Sequence, residues 1–147
     1  MSVIKEMEQD LAHKKTLDLI NKSEKCLLGT IDENGFPNIK AMYNAKNKGM
    51  KDIWFSTNTS SKRTKEIKNN EKASVYFVDM ENFIGVMLIG KIKATRDQEL
   101  REMLWVDGSE RFYPLGVDDP DYTVLHFKAE KANIYHNMTK ASFEIKH

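Results

Sequence analysis

Apolar positions recur with helical spacing near the start of the chain and with strand-like spacing over most of the rest. From Ile4 to about Ile20 the apolar side chains fall toward one side of a helix, which predicts an amphipathic helix. Beyond it, short runs rich in β-branched and aromatic residues predict strands separated by turn-forming residues. The predicted strands cover residues 25–31, 36–44, 53–57, 73–78, 83–95, 123–127 and 132–135.

The segments between these runs carry turn and helix signals. Asn34-Gly35 predicts a hairpin between the first two strands, because both residues tolerate positive φ. Residues 45–52 read as a polar turn, residues 62–70 as a short basic helix, and residues 96–104 as a helix opened by Thr95 and Gln98 as a capping box. Residues 105–121 are irregular and rich in aromatic side chains.

This order of elements predicts an α+β, mainly β fold. Six or seven short strands joined mostly by tight turns favour a small antiparallel barrel with helices outside it. The length of 147 residues suits one domain spanning 1–147, with the helix of residues 1–21 packing on the barrel.

Charge and cysteine content exclude several classes of protein. With 23 Lys+Arg against 22 Asp+Glu, the formal net charge is +1, which argues against a general nucleic-acid or polybasic membrane binder. Cys26 is the only cysteine, so an internal disulfide and a multi-cysteine metal site are excluded. No apolar run approaches the roughly 18 residues of a membrane helix, and the N-terminus lacks the apolar core of a signal peptide. We therefore expect a cytoplasmic protein.

The segment 54–67 is the most informative for chemistry. A strand ends in Ser56 and Thr57, and a hydroxyl-rich turn leads through Ser61 to a helix whose first turn carries Lys62 and Arg63. Hydroxyls, free helix N–H groups and two cations together favour a phosphate. The same pattern is equally typical of a solvated, well-capped helix.

A second segment places a lysine inside a predicted strand. Gly35, Pro37 and Lys40 form a G-x-P-x-x-K pattern that follows the hairpin turn. Taken alone, Lys40 is best explained as a residue of the solvent face, since buried unpaired lysine is rare.

In their order along the chain, these segments resemble the FMN-binding split barrel of the pyridoxamine 5′-phosphate oxidase superfamily. The resemblance extends from about Cys26 to Tyr135, and the stretch 111–122 is similar to the small bacterial general-stress-protein branch. It implies FMN as cofactor, a homodimer with the cofactor at the subunit interface, and a flavin-dependent oxidoreductase acting on a small-molecule redox substrate.

The resemblance also implies roles for individual residues. Lys40 matches a basic residue near the flavin ring, and Ala41, Met42 and Tyr43 match the strand whose backbone lies against that ring. Ser56 and Thr57 match the ribityl–phosphate end, and Ser61, Lys62 and Arg63 match the phosphate clamp. Gly85 stands where the family often has a polar side chain, so it can offer only backbone. We expect three aromatic residues of the partner chain to cover the flavin ring: Trp105, Phe112 and Tyr113.

Two features limit the expected chemistry. The R-x-H-D-R-type motif that recognises the phosphorylated vitamin is missing, and no arginine follows Arg111, so oxidation of pyridoxamine phosphate is not expected. No catalytic acid–base set stands out, which is consistent with a flavin that performs the electron transfer itself.

The remaining polar candidates fit structural roles better than catalytic or metal-binding ones. The four histidines lack metal-ligand spacing. The aspartates at 118, 119 and 121 lack the pattern of a calcium loop and are interpreted as solvated turn residues. Cys26 lies on an apolar strand and is interpreted as a core residue.

Three alternative functions stay open at this point. The first is a non-catalytic flavin-binding stress or redox sensor. The second is a haem-handling split barrel with His126 or His136 as ligand. The third is a nucleic-acid or anion-binding module that uses residues 60–68.

Overall fold

A computed structural model describes residues 3–146, and in that range one mixed sheet of nine strands dominates the molecule. Three helices and a short 3₁₀ helix, Ser109–Arg111, complete the fold. The helices are α1 (Gln9–Lys22), α2 (Lys62–Asn69) and α3 (Gln98–Leu104). The strands are β1 (Lys5–Glu6), β2 (Lys25–Ile31), β3 (Pro37–Tyr43), β4 (Lys46–Lys48), β5 (Asp52–Asn58), β6 (Lys72–Asp79), β7 (Ile84–Thr95), β8 (Tyr122–His136) and β9 (Thr139–Glu144).

The strands follow the order β1-β9-β8-β7-β6-β2-β3, and β5 joins both β4 and β8. The first half of β8 pairs with β5, and its second half pairs with β9, so β8 belongs to two parts of the sheet. β3 ends the sheet on one side and is not hydrogen-bonded to β5. The barrel is therefore split between β3 and β5. The predicted fold class, α+β and mainly β, is confirmed.

Several element boundaries differ from those predicted. The strands predicted at 123–127 and 132–135 form the single 15-residue β8, which accommodates a register shift opposite Gly90 of β7. β9 was not predicted, and β4 lies in the predicted polar turn. β1 pairs with β9 in parallel, so the sheet is not purely antiparallel.

The helix starts show which capping predictions hold. α2 begins at Lys62 with Ser61 as N-cap, as predicted for this start. α3 begins two residues later than predicted, because Asp97 and not Thr95 accepts the hydrogen bond from the Leu100 N–H, at 3.0 Å. α1 begins at Gln9, because the Glu8 carboxylate caps the N–H groups of the first turn.

The hairpin predicted at Asn34-Gly35 is confirmed, but its turn has a different physical basis. Gly35 has a positive φ of 82°, whereas Asn34 does not share this conformation. Asp32 accepts hydrogen bonds from the main-chain N–H groups of Asn34 and Phe36, both at 2.9 Å. An aspartate-closed turn thus joins β2 to β3.

Two apolar clusters stabilise the fold. The main core lies inside the curled sheet and contains the buried faces of β2, β5, β6, β7 and β8 together with Leu19 and Ile20 of α1. A second, smaller cluster forms on the opposite face of β5 and β8, beneath α3 and the segment 105–121. Its members are Trp54, Leu100, Leu104, Trp105, Tyr113, Val117, Tyr122 and Val124.

Candidate functional site

The candidate site lies where β5 runs into α2, next to the split in the barrel. The loop between them is held by Asp121, whose carboxylate accepts from the Asn58 side-chain amide at 2.6 Å and from the Ser60 N–H at 2.8 Å. These hydrogen bonds lower the pKa of Asp121. The Thr59 N–H also donates to the Asp121 carbonyl oxygen, at 2.7 Å. The start of α2 is therefore fixed before any ligand binds.

The first turn of α2 presents hydrogen-bond donors. The Ser61 hydroxyl accepts from the Thr64 N–H at 3.2 Å, and the Thr64 hydroxyl donates to the Asn58 carbonyl oxygen at 2.9 Å. The N–H groups of Lys62 and Arg63 have no acceptor inside the helix. Together with the helix dipole they provide a partial positive charge suited to an anion.

Two cations accompany these donors, but acidic residues lie near them. The Arg63 guanidinium is half-buried and donates to the Thr57 hydroxyl at 3.3 Å. Burial lowers the pKa of Arg63, and Glu66 opposes that shift. Lys62 is exposed, lies 3.7 Å from the buried Glu66 carboxylate, and helps to lower the pKa of Asp32 in the β2–β3 turn. The structure thus brings Thr57, Ser61, Lys62 and Arg63 together.

β3 divides its four predicted site residues between two faces. Lys40 pairs with the buried Leu28 of β2, so Lys40 and Met42 lie on the face that looks toward the barrel interior. Ala41 and Tyr43 lie on the opposite face. Lys40, Ala41 and Tyr43 are exposed, and only Met42 is buried. Because β3 is the last strand on its side of the sheet, one edge of its backbone has no partner strand among the described residues. The main-chain groups on that edge are available to form hydrogen bonds with a ligand.

Ser56 does not join Thr57 at the site. Successive residues of a strand point to opposite faces. The Ser56 hydroxyl lies 3.4 Å from the Tyr122 hydroxyl on the face of the second cluster. Thr57 points toward Arg63 and is buried. The predicted ribityl–phosphate pair is therefore split by strand geometry within one chain.

The three aromatic residues expected to cover a partner's ring have different environments. Tyr113 is 5% exposed and stacks on Tyr122 with ring centroids 4.5 Å apart. Trp105 is half-buried, with its ring centroid 5.5 Å from that of Tyr122. Burial raises the pKa of Tyr113 to about 12, so its hydroxyl stays protonated at neutral pH. Phe112 is exposed and is the one of the three with an open side chain.

Gly85 lies on β7, three strands away from β3 and thus roughly 14 Å from it along the sheet. A Cβ at this position would overlap the Tyr76 hydroxyl, so glycine leaves room for the Tyr76 ring. Within one chain Gly85 is separated from the α2 site. Any contact with a cofactor there would have to come from the other subunit.

The residues proposed for other chemistry have structural partners. Cys26 is buried, and burial raises the pKa of its thiol to about 12. His126 Nε2 lies 2.8 Å from Asp52 Oδ1, and the ring stacks on Trp54. His136 Nδ1 lies 2.6 Å from Lys15 Nζ. His147 lies outside the described residues. In residues 3–146 no group of three or more His, Cys, Asp or Glu side chains could hold a metal ion.

Sequence reasoning missed two features that only the fold reveals. Asp121 was interpreted as a solvated turn residue, but it anchors the loop before α2 across 61 positions of sequence. The outer face of the sheet, defined by Ile39, Ala41 and Tyr43 on β3 and Tyr76 on β6, is an exposed patch that includes apolar side chains. Alternation along β3 was the only local signal for it.

No helix within residues 3–146 has both the length and the apolar character needed to cross a membrane.

Comparison with known proteins identifies the family and the fold. The family described as "Pyridoxamine 5'-phosphate oxidase like" matches residues 12–146. A protein from Clostridium acetobutylicum related to general stress protein 26 of B. subtilis, and described as belonging to the pyridoxinephosphate oxidase family, has 44% sequence identity. The match covers 95% of this chain and 97% of that one, with a TM-score of 0.84.

More distant structures share the fold. General Stress Protein 26 from Bacillus anthracis is 18% identical, with a TM-score of 0.75 over 91% of this chain and 98% of that one. A heme binding protein from Mycobacterium smegmatis is 14% identical, with a TM-score of 0.74 over 90% of this chain and 57% of that one. Among curated proteins, none matches the chain.

Proposed function

The chain belongs to the pyridoxamine 5′-phosphate oxidase-like family and to its general-stress-protein branch. From this premise we propose that it is a cytoplasmic, homodimeric FMN-binding flavoprotein and an oxidoreductase for a small-molecule redox substrate. The observation that carries the proposal is the pre-arranged start of α2, where Thr57, Ser61 and Arg63 converge at the end of β5, a strand that also contacts β3.

The residues present fit an aromatic phosphate such as FMN. The free N–H groups of α2, the half-buried Arg63 and the exposed Lys62 answer a phosphate charge of roughly −1.5 to −2. The unpaired edge of β3 supplies main-chain donors and acceptors for a ring, and Lys40 adds a positive charge on the same strand. Acidic neighbours at Glu66 and Asp32 moderate the field of Lys62.

The chain's own contribution to the reaction is binding and electrostatics. A bound flavin supplies hydride and electron transfer itself. Lys40 would favour the negative charge that accumulates on a reduced ring, since a fixed cation stabilises such charge strongly in a desolvated site. The raised pKa values of Cys26 and Tyr113 argue against either as a proton donor or nucleophile at neutral pH.

The surface of β3 supports the proposed homodimer. Ile39 is 71% exposed and Tyr43 is 68% exposed, and both lie on the sheet face that also carries the exposed Tyr76. Exposed apolar side chains grouped on one face are typical of protein interfaces. A second copy of the chain covering this face would shield both the apolar side chains and a ring held at the edge of β3.

The decisive experiment is FMN titration of the purified protein, followed by dialysis and a visible spectrum. The double variant Lys62→Ala/Arg63→Ala should bind FMN at least about tenfold more weakly, because it loses charge-assisted contacts worth more than about 1.5 kcal/mol in total. Lys65→Ala/Lys68→Ala, at two exposed lysines of the same helix, is the matched control and should keep wild-type affinity. If the protein retains no FMN at micromolar concentration, the proposal is overturned. If the two variants bind FMN equally well, Lys62 and Arg63 do not hold its phosphate.

The same preparation separates the alternatives. Reduction of bound FMN by NADH or NADPH supports the oxidoreductase, whereas flavin that no donor reduces supports a binding or sensing role. Haem titration tests the haem-handling alternative, to which the M. smegmatis neighbour draws attention. A salt-dependent shift of an oligonucleotide would favour the anion module of residues 60–68.

A further inference from the structure

A wide cavity, open to the surface, lies away from the proposed flavin site, between the start of α1, the β4–β5 turn and the C-terminal end of β9. Its volume is about 680 Å³, within the range of roughly 300–1,000 Å³ typical of small-molecule sites. None of the residues assigned to the flavin site lines it. The segment that contains β4 and the β4–β5 turn was predicted only as a polar turn. The function proposed above assigns no role to this cavity.

The floor of the cavity is apolar and includes a stacked ring pair. Phe143 is buried in the main core, and the imidazole of His13 stacks on it with ring centroids 3.8 Å apart and planes 24° from parallel. Met50 and Ile145 pack against the same core and also line the cavity. Since His13 is exposed, the face of its ring opposite Phe143 is available to another flat ring.

The orientation of the His13 ring is fixed by its own helix. His13 Nδ1 lies 2.8 Å from the main-chain carbonyl oxygen of Gln9. Because a carbonyl oxygen can only accept, Nδ1 carries a proton and donates it. Nε2 is then the ring nitrogen left for a ligand. A ring held in this way is pre-organised for stacking, which lowers the entropic cost of binding.

The rim of the cavity is basic. Lys48 and Lys51 flank the β4–β5 turn, which Gly49 closes with a φ of 60°. Within residues 3–146 neither lysine forms an ion pair with a carboxylate, and Lys51 is half-buried. Glu144 is the one acidic side chain in the lining, against these two lysines and Lys146. A half-buried lysine without a counter-ion favours binding of an anion.

We propose that this cavity is a second ligand site, which binds a flat aromatic ring bearing a phosphate, in the class of the nucleoside monophosphates. The ring stacks on His13 above the apolar floor. The phosphate is held by Lys48 and Lys51. This combination of ring stacking and paired cations discriminates against both neutral nucleosides and bare inorganic phosphate.

The test uses the full chain with adenosine 5′-monophosphate as probe at low ionic strength, followed by calorimetry and by NMR shifts of residues around His13. Wild-type protein should bind the monophosphate more tightly than adenosine. Lys48→Ala/Lys51→Ala should weaken monophosphate binding at least about tenfold. The matched control, Lys65→Ala/Lys68→Ala, should leave it unchanged. Absence of binding, or equal affinity in all these variants, would overturn the proposal.

A second pair of variants tests the stacking ring and excludes the flavin site. His13→Ala should weaken binding of the monophosphate without changing that of inorganic phosphate, and His13→Phe should restore it. Lys62→Ala/Arg63→Ala, which removes any binding at the start of α2, should keep the binding that Lys48→Ala/Lys51→Ala loses. If instead this variant loses the probe and the Lys48/Lys51 variant keeps it, the ligand occupies the start of α2 and the cavity is not a site.

Discussion

The outer sheet face around β3 and the segment 105–121 are both rich in aromatic and aliphatic side chains, but their surroundings differ. In the segment, Tyr113 packs on Tyr122 and Trp105 lies beside them, whereas Val106, Phe112 and Leu115 stay exposed. On β3, Ile39 and Tyr43 stay exposed. The segment therefore packs its Trp105 and Tyr113 rings within the chain, whereas the exposed apolar side chains of β3 meet only the solvent or the partner of the proposed dimer.

Two arginines, Arg96 and Arg101, hold the segment 105–121 against the rest of the chain. Arg101 is 7% exposed and donates to the carbonyl oxygens of Arg96 and Val117, at 3.0 and 2.5 Å. Arg96 donates to three carbonyl oxygens of residues 119–122. These bonds satisfy a loop backbone that forms no ladder. Among the described residues no arginine closes the free edge of β3 in this way, and the proposed dimer would use that edge.

Removing Arg101 should have the largest effect. Arg101→Ala leaves two carbonyl oxygens without their donor and opens the second cluster, so we expect a loss of about 3 kcal/mol in the free energy of unfolding. Urea denaturation measures this value. Arg111→Ala, at an exposed arginine of the same segment, should stay within about 0.5 kcal/mol of wild type. Equal effects of the two variants would show that Arg101 does not hold the segment.

Charging β3 should affect assembly and not folding. Ile39→Lys places a cation on the proposed dimer face, and we expect the dimer dissociation constant to rise at least about tenfold, measured by analytical ultracentrifugation. The free energy of unfolding of the monomer should change little, because the side chain is exposed. Leu115→Lys in the segment is the control, since Leu115 is also exposed. If Leu115→Lys dissociates the dimer and Ile39→Lys does not, the segment 105–121 and not β3 forms the dimer interface.

A smaller effect is expected at the junction of the segment with the site. The pKa of Asp121 is lowered, so this carboxylate contributes stability that is fully present above about pH 4 and is lost as pH falls through its folded pKa. Asp121→Asn should therefore flatten the acid limb of stability plotted against pH, as followed by urea denaturation. Asp107→Asn, at an exposed aspartate of the segment, should keep the wild-type slope. An unchanged slope in Asp121→Asn would show that the Asp121 carboxylate does not contribute to the pH dependence of stability.

Local sequence signals predicted the parts of the fold that depend on neighbouring residues. The start of α2 at Lys62 and the turn at Gly35 are decided within a few residues, and both were predicted. The start of α3 was misplaced because Thr95 and Asp97 are competing local caps. β8 was predicted as two strands, because no local signal shows that Tyr122–His136 continues through the register shift with β7.

The sequence by itself determined the alternation of faces, the helix starts that depend on one cap, and the cluster of hydroxyls and cations at residues 56–63. Tertiary structure decided which face of each strand is covered, and hence that Thr57 joins Arg63 while Ser56 turns toward Tyr122. It also decided that Tyr113 is buried and Ile39 exposed. The reason is physical: alternation separates two faces, but only long-range packing determines which of them meets the core, the solvent or a partner.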